Sequence, residues 1–170
     1  PRMASSSVTK TMCLVREIEV KGEIAKQYYH RVVVLQIVDA WPCLILDLEP
    51  ILPGEGEVAA AERLLERAKK LYPRFFDIVT MDALYLQAPF LKKVIRWGWD
   101  AITVLKQENR ELYQDVEQLM AITSPKTVMI PAGTTQHWDL ENLTTWSQMD
   151  KPVRVVCSQE TKTKRERVAN

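Results

Sequence analysis

Cysteine is scarce in this sequence and poorly placed for chemistry. The three cysteines, Cys13, Cys43 and Cys157, are odd in number and far apart, and no CxxC pair occurs. This excludes a disulfide framework and a cysteine-built zinc site, and it fits a reduced, cytoplasmic setting. There are only two histidines: His30, inside an apolar run, and His137, beside Trp138. Neither has a cysteine or a second histidine at ligand spacing, so a structural role is the simpler reading of both. The closest pair of glycines, Gly54 and Gly56, sits in GEGE, whose acids would repel a phosphate. That argues against an unrelated nucleotide-binding α/β enzyme. No nucleophile elbow, P-loop or HExxH pattern is present. The net charge of +1 supplies no overall field towards nucleic acid or membrane, so any such contact must come from local patches. No apolar run reaches the roughly 18 residues of a membrane span. The opening PRMASSSVTKTM lacks the apolar centre of a signal peptide, and residues 1–12 read as a disordered or cut start.

What remains is ordinary globular material. With 170 residues, 46% of them apolar, the chain can build a domain with its own core. Residues 13–20 alternate as a half-buried strand, and Lys21-Gly22-Glu23 reads as a turn. Residues 28–38, rich in aromatic and β-branched side chains, predict one long strand. Residues 43–48 predict the next, in an antiparallel hairpin with it. A Pro/Gly loop leads to a helix over 57–72, whose apolar face is Ala61, Leu64, Leu65, Ala68, Leu71 and Tyr72. Glu55 and Glu57 lie near its positive end, an adequate structural reason for both. Residues 78–81 predict a short buried strand, 83–97 a helix burying Leu84, Ala88, Leu91, Val94 and Ile95, and 101–105 an apolar strand. Together these make a βαβ unit. A helix over 108–122 follows. Beyond Pro125 the pattern turns β-rich, with short strands at 127–130, 135–138 and 153–157. Residues 159–170 are basic and polar, a solvated tail or a phosphate contact. The tryptophans Trp97, Trp99, Trp138 and Trp146 read as packing residues.

The carboxylates carry the chemical interest. Asp82 ends the strand at 78–81, where open α/β sheets bind ligands and metals. The plainer role at that position is to cap the following helix, and the two roles are compatible. Asp39, Asp47 and Glu49 lie near the ends of the hairpin strands, and Asp47, alternating with Leu46 and Leu48, reads as facing solvent.

The segments QYYHRVVVLQIV, LILDLEPILPGEGEVAAAERLLERA, YPRFFDIVTMDALYLQAPFLKKVIRWGWDAITVLKQENRELYQDVEQL and KPVRVV resemble the DDE transposases of bacterial insertion sequences. The closer resemblance is to the group with a β-strand insertion before the final catalytic glutamate, and it covers roughly Cys13 to Val156. It implies a ribonuclease-H-like α/β core over residues 13–124, incomplete, followed by part of a β-rich insertion over 125–158. It implies that Asp82 is the second acid of a catalytic triad and a ligand for Mg²⁺, two ions in an intact site. It makes Lys106 and Arg110 candidates for DNA-phosphate contact, against a plain surface lysine and an arginine paired with Glu111 or Gln114. The implied setting is the bacterial cytoplasm, at the nucleoid, with transposon-end DNA and full-length transposase subunits as partners.

The departures from that pattern are specific. The place of the family's first aspartate falls, if anywhere, in PRMASSSVTKTM, which has no acid. Glu160 and Glu166 lack the RW…IE context of the family's final glutamate. One carboxylate in three is therefore identifiable, too few for a cation that takes about six oxygen ligands. The expectation is a transposase fragment, catalytically incomplete alone, with Leu14–Val20 as an alternative occupant of part of the place of the absent first strand. The alternative is a non-enzymatic module that binds DNA or transposase and inhibits transposition, motivated by Lys92, Lys93, Arg96 and the KTKRER tail.

Overall fold

The computed structural model describes residues 14–38, 41–106, 110–130 and 133–162. Their contacts divide the chain into two units, parting between Ile102 and Thr103.

The first unit opens with an antiparallel hairpin, β1 (Leu14–Val20) and β2 (Glu23–Tyr29). Lys21 (φ 54) and Gly22 (φ 84) both have positive φ at its tip, the geometry that follows the right-handed strand twist. A second antiparallel hairpin joins β3 (Val32–Gln36) to β4 (Ile45–Pro50), with Val33 opposite Glu49 and Leu35 opposite Asp47. The sequence predicts one strand over 28–38. The structure breaks it at His30 and Arg31, because the chain changes partners there: Tyr29 pairs with Leu14, but Val32 pairs with Pro50. Among the described residues β1 pairs with β2 alone and lies beside neither β3 nor any later strand.

Helix α1 (Glu57–Leu71) buries Ala60, Ala61, Leu64, Leu65 and Ala68, as its apolar spacing predicts, although Leu71 is exposed. Glu57 in its first turn and Lys69 and Lys70 in its last complement the helix dipole. Tyr72 caps the end through its N–H to Ala68 O, and Pro73 prevents continuation.

β5 (Ile78–Met81) runs into a 3-10 turn (Ala83–Tyr85), then α2 (Ala88–Arg96), then β6 (Asp100–Thr103), which neighbours β5 in a two-stranded sheet. The continuous helix expected over 83–97 is thus two pieces. Gln87 is extended (φ −124, ψ 120), and Pro89 stands in the first turn of α2. Proline lacks the N–H a helix interior needs, so a helix can start at Pro89 but cannot run through it. Leu84, on the 3-10 turn, is consequently exposed, whereas Ala88, Phe90, Leu91 and Val94 are buried. Gly98 (φ 88) takes the left-handed position that ends α2. Trp99 is buried, stacked on Phe76 at 4.7 Å with the Lys69 ammonium 5.3 Å from its ring centre.

In the second unit, α3 (Arg110–Ile122) is followed by an antiparallel sheet in the order β7 (Lys126–Ile130), β8 (Gly133–Leu143), β9 (Val153–Lys162). Leu112 and Val116 of α3 are buried with Trp138, Leu140, Leu143 and Trp146. The Trp138 indole donates to Thr123 O at 3.0 Å, and the Thr145 hydroxyl meets Asp115 at 3.0 Å. The chain is therefore mixed α/β, with several small sheets and three α-helices among the described residues.

Candidate functional site

Asp82 lies directly after β5, exposed, in an extended conformation. Its Oδ1 accepts the Leu84 N–H at 2.8 Å, so the capping role expected of it is present. Three residues further on, the buried Tyr85 donates its hydroxyl to Glu57 Oε1 at 2.8 Å. Glu57 Oε2 accepts Arg31 Nη2 at 3.1 Å. One carboxylate thus ties the residue ahead of β3, the first turn of α1 and the turn after Asp82. Burial first, then the bond to Glu57 and the charges of Glu57 and Asp82, push the Tyr85 hydroxyl well above its ordinary pKa. It is a hydrogen-bond donor here and not a phenolate.

The remaining sequence candidates are distributed differently from expectation. Asp47 does not simply face solvent: its Oδ2 accepts Arg67 Nε at 2.7 Å. Glu49 accepts Arg67 Nη1 at 2.7 Å and Arg63 Nε at 2.9 Å. Glu55 pairs with Arg63 through both oxygens and accepts the Leu52 N–H at 2.9 Å. The hydrogen bonds from Arg67 hold Asp47 and Glu49 below the usual carboxylate range, and Arg63 does the same for Glu55. These acids clamp α1 to β4 and to the loop before it. They are engaged by guanidinium groups, which leaves them unsuited to a cation.

Asp39 lies outside the described residues. So does the side chain of Arg110, whose backbone opens α3. Lys106 is exposed and belongs to the second unit, Asp82 to the first. On α2, Lys93 is paired with Glu62 at 2.6 Å, and the shallow groove beside it is lined by Glu62, Glu66, Lys93, Arg96 and Trp97. That face is mixed in charge and not a basic stripe.

Among the described residues, no group of three or more His, Cys, Asp or Glu side chains is arranged to hold a metal ion. Among the described residues, Asp82 is one carboxylate beside a tyrosine–glutamate–arginine link. That link carries no signal in the sequence: Tyr85 and Glu57 are 28 positions apart, and Arg31 is 26 from Glu57. No helix is long and apolar enough to cross a membrane among the described residues. No family model, no curated protein and no solved structure matches the chain.

Proposed function

We propose that this chain carries the Asp82-bearing part of a ribonuclease-H-like DDE transposase core and is incomplete as a catalyst on its own. The observation that carries the reading is the position of Asp82. It stands at the carboxyl end of β5, in a strand–helix–strand arrangement preceded by a hairpin and a long helix, within the motif MDALY. Acids at that point of an α/β sheet are well placed to meet a metal-bound phosphate. In an intact site Asp82 would be one of the carboxylates holding Mg²⁺, whose chemistry there would be Lewis-acid assistance to phosphodiester cleavage and strand transfer.

Two observations test the reading. The chain, incubated with Mg²⁺ and labelled duplex bearing the ends of its insertion sequence, is expected to leave the duplex intact. Robust cleavage that is lost in Asp82→Ala would overturn the incompleteness. The DNA flanking the coding sequence, read in all frames, is expected to encode an aspartate-bearing first strand upstream and an RW…IE helix downstream. The absence of both would overturn the assignment to transposases.

A further inference from the structure

Neither strand of the β1–β2 hairpin pairs with any other strand among the described residues, and each packs chiefly on the other. A hairpin of two strands is at best marginally stable in water and gains from a covered face. Side chains alternate between its two faces, and the register assigns them. The face that carries Leu14, Ile18 and Tyr29 covers part of itself. The Arg16 guanidinium lies 5.3 Å from the centre of the Tyr29 ring, and Arg16 Nε donates to Gln27 Oε1 at 2.6 Å.

The opposite face has no such cover. It holds three cross-strand pairs in rows: Val15 with Tyr28, Glu17 with Lys26, and Glu19 with Ile24. All six residues are exposed, Val15 to 51%, Tyr28 to 61% and Ile24 to 78%. An acid and a base thus stand side by side in the middle row, with apolar side chains in the rows on either side.

This pattern is complementary to itself. A two-fold axis parallel to the strands lays β1 of one copy over β2 of another, row on row. Val15 then meets Tyr28 of the second copy, Glu17 meets its Lys26, and Ile24 meets the aliphatic stem of its Glu19. Laying β1 over β1 instead would set glutamate on glutamate and lysine on lysine in the middle row, which repulsion disfavours. An unrelated apolar sheet would cover the outer rows but leave the middle carboxylate and ammonium without a partner across the interface. Sheets packed face to face turn by about 30°, and a turn about the middle row keeps the charged pairs in register.

We propose that the face of the β1–β2 hairpin bearing Val15, Glu17, Lys26 and Tyr28 docks on the same face of a second copy of this chain, related by a two-fold axis along the strands. The inference rests on the hairpin alone and is independent of the DNA-processing reading. Six side chains from each copy make a small interface, below about 1,200 Å² in total, so the association is weak and reversible.

The test is sedimentation equilibrium of the whole chain from about 10 μM to about 1 mM, with NMR shifts as the map. A monomer–dimer equilibrium is expected, with a dissociation constant of about 0.1 mM and concentration-dependent shifts at Val15, Glu17, Lys26 and Tyr28. Glu17→Lys sets lysine against lysine in the middle row, and Lys26→Glu sets glutamate against glutamate. Each is expected to weaken dimerisation about tenfold or more. Mixed in equal amounts, the two variants are expected to form a heterodimer, because every contact across the middle row is again between opposite charges. The chain carrying both substitutions keeps opposite charges within and across the hairpins. It is expected to dimerise as the parent does, and it checks the surface if either single variant does not fold. A chain that stays monomeric up to about 1 mM overturns the proposal. So does a dimer that persists in both single variants, a mixture that stays monomeric, or loss of the dimer in the chain carrying both substitutions.

Discussion

Tyr85 and Glu57 are joined by a 2.8 Å hydrogen bond that fastens the turn after Asp82 to the first turn of α1. The phenol is buried, and the same carboxylate holds Arg31. Tyr85→Phe keeps the ring packed near Phe90, 5.4 Å away, and removes the bond alone. The expected loss of stability is about 1 kcal/mol. Denaturant unfolding measures it, and amide exchange at Ala83–Tyr85 should accelerate relative to α1. An unchanged midpoint and unchanged exchange would show that the bond is replaced by water at no cost.

Arg67 bridges Asp47 and Glu49 and also reaches Leu48 O, so it spans both the acids and the edge of β4. Its side chain is about two-fifths exposed (39%), so solvent screening limits each ion pair. Arg67→Met is expected to cost on the order of 1 kcal/mol. A urea midpoint equal to that of the parent chain would contradict this.

Acid should loosen the same clamp. Asp47, Glu49 and Glu55 are held below their ordinary values by Arg67 and Arg63. A carboxyl whose pKa is depressed in the folded state stabilises the fold fully above its unfolded value. That stability is lost as pH falls through the folded value, because the unfolded chain then binds more protons. The urea midpoint is therefore expected to be flat down to about pH 5 and to fall below about pH 4. In Arg67→Met the acid fall should be shallower. Parallel acid limbs in the two proteins would place the titration elsewhere.

Much of the fold is legible in the sequence where periodicity decides it. The α1 helix, the strand at 78–81 and the β-rich character after Pro125 all follow from apolar spacing, although only Val79 of that strand is buried and Leu71 of α1 is exposed. The misreadings have separate causes. The expected strand over 28–38 hides a change of partner at His30 and Arg31, and pattern alone does not say which strand a residue pairs with. Pro89 inside a helical pattern marks the break before α2, whereas the apolar spacing alone predicts one continuous helix. Asp47 looked solvent-facing because its neighbours are apolar. Its actual partner, Arg67, lies 20 positions away on α1. The Arg31–Glu57–Tyr85 link depends on three separated elements and leaves no local trace.

The proposed role of Asp82 is that of a metal-binding catalytic position in a chain that does not complete the site alone. The most direct test is a Mn²⁺ titration of the isotope-labelled chain followed by paramagnetic line broadening. The account predicts weak, millimolar binding with broadening centred on Met81, Asp82 and Ala83, reversed by excess Mg²⁺ and abolished in Asp82→Asn. Micromolar binding at Asp82 would contradict the incompleteness. Broadening that is centred elsewhere, or that survives Asp82→Asn, would contradict the role given to Asp82.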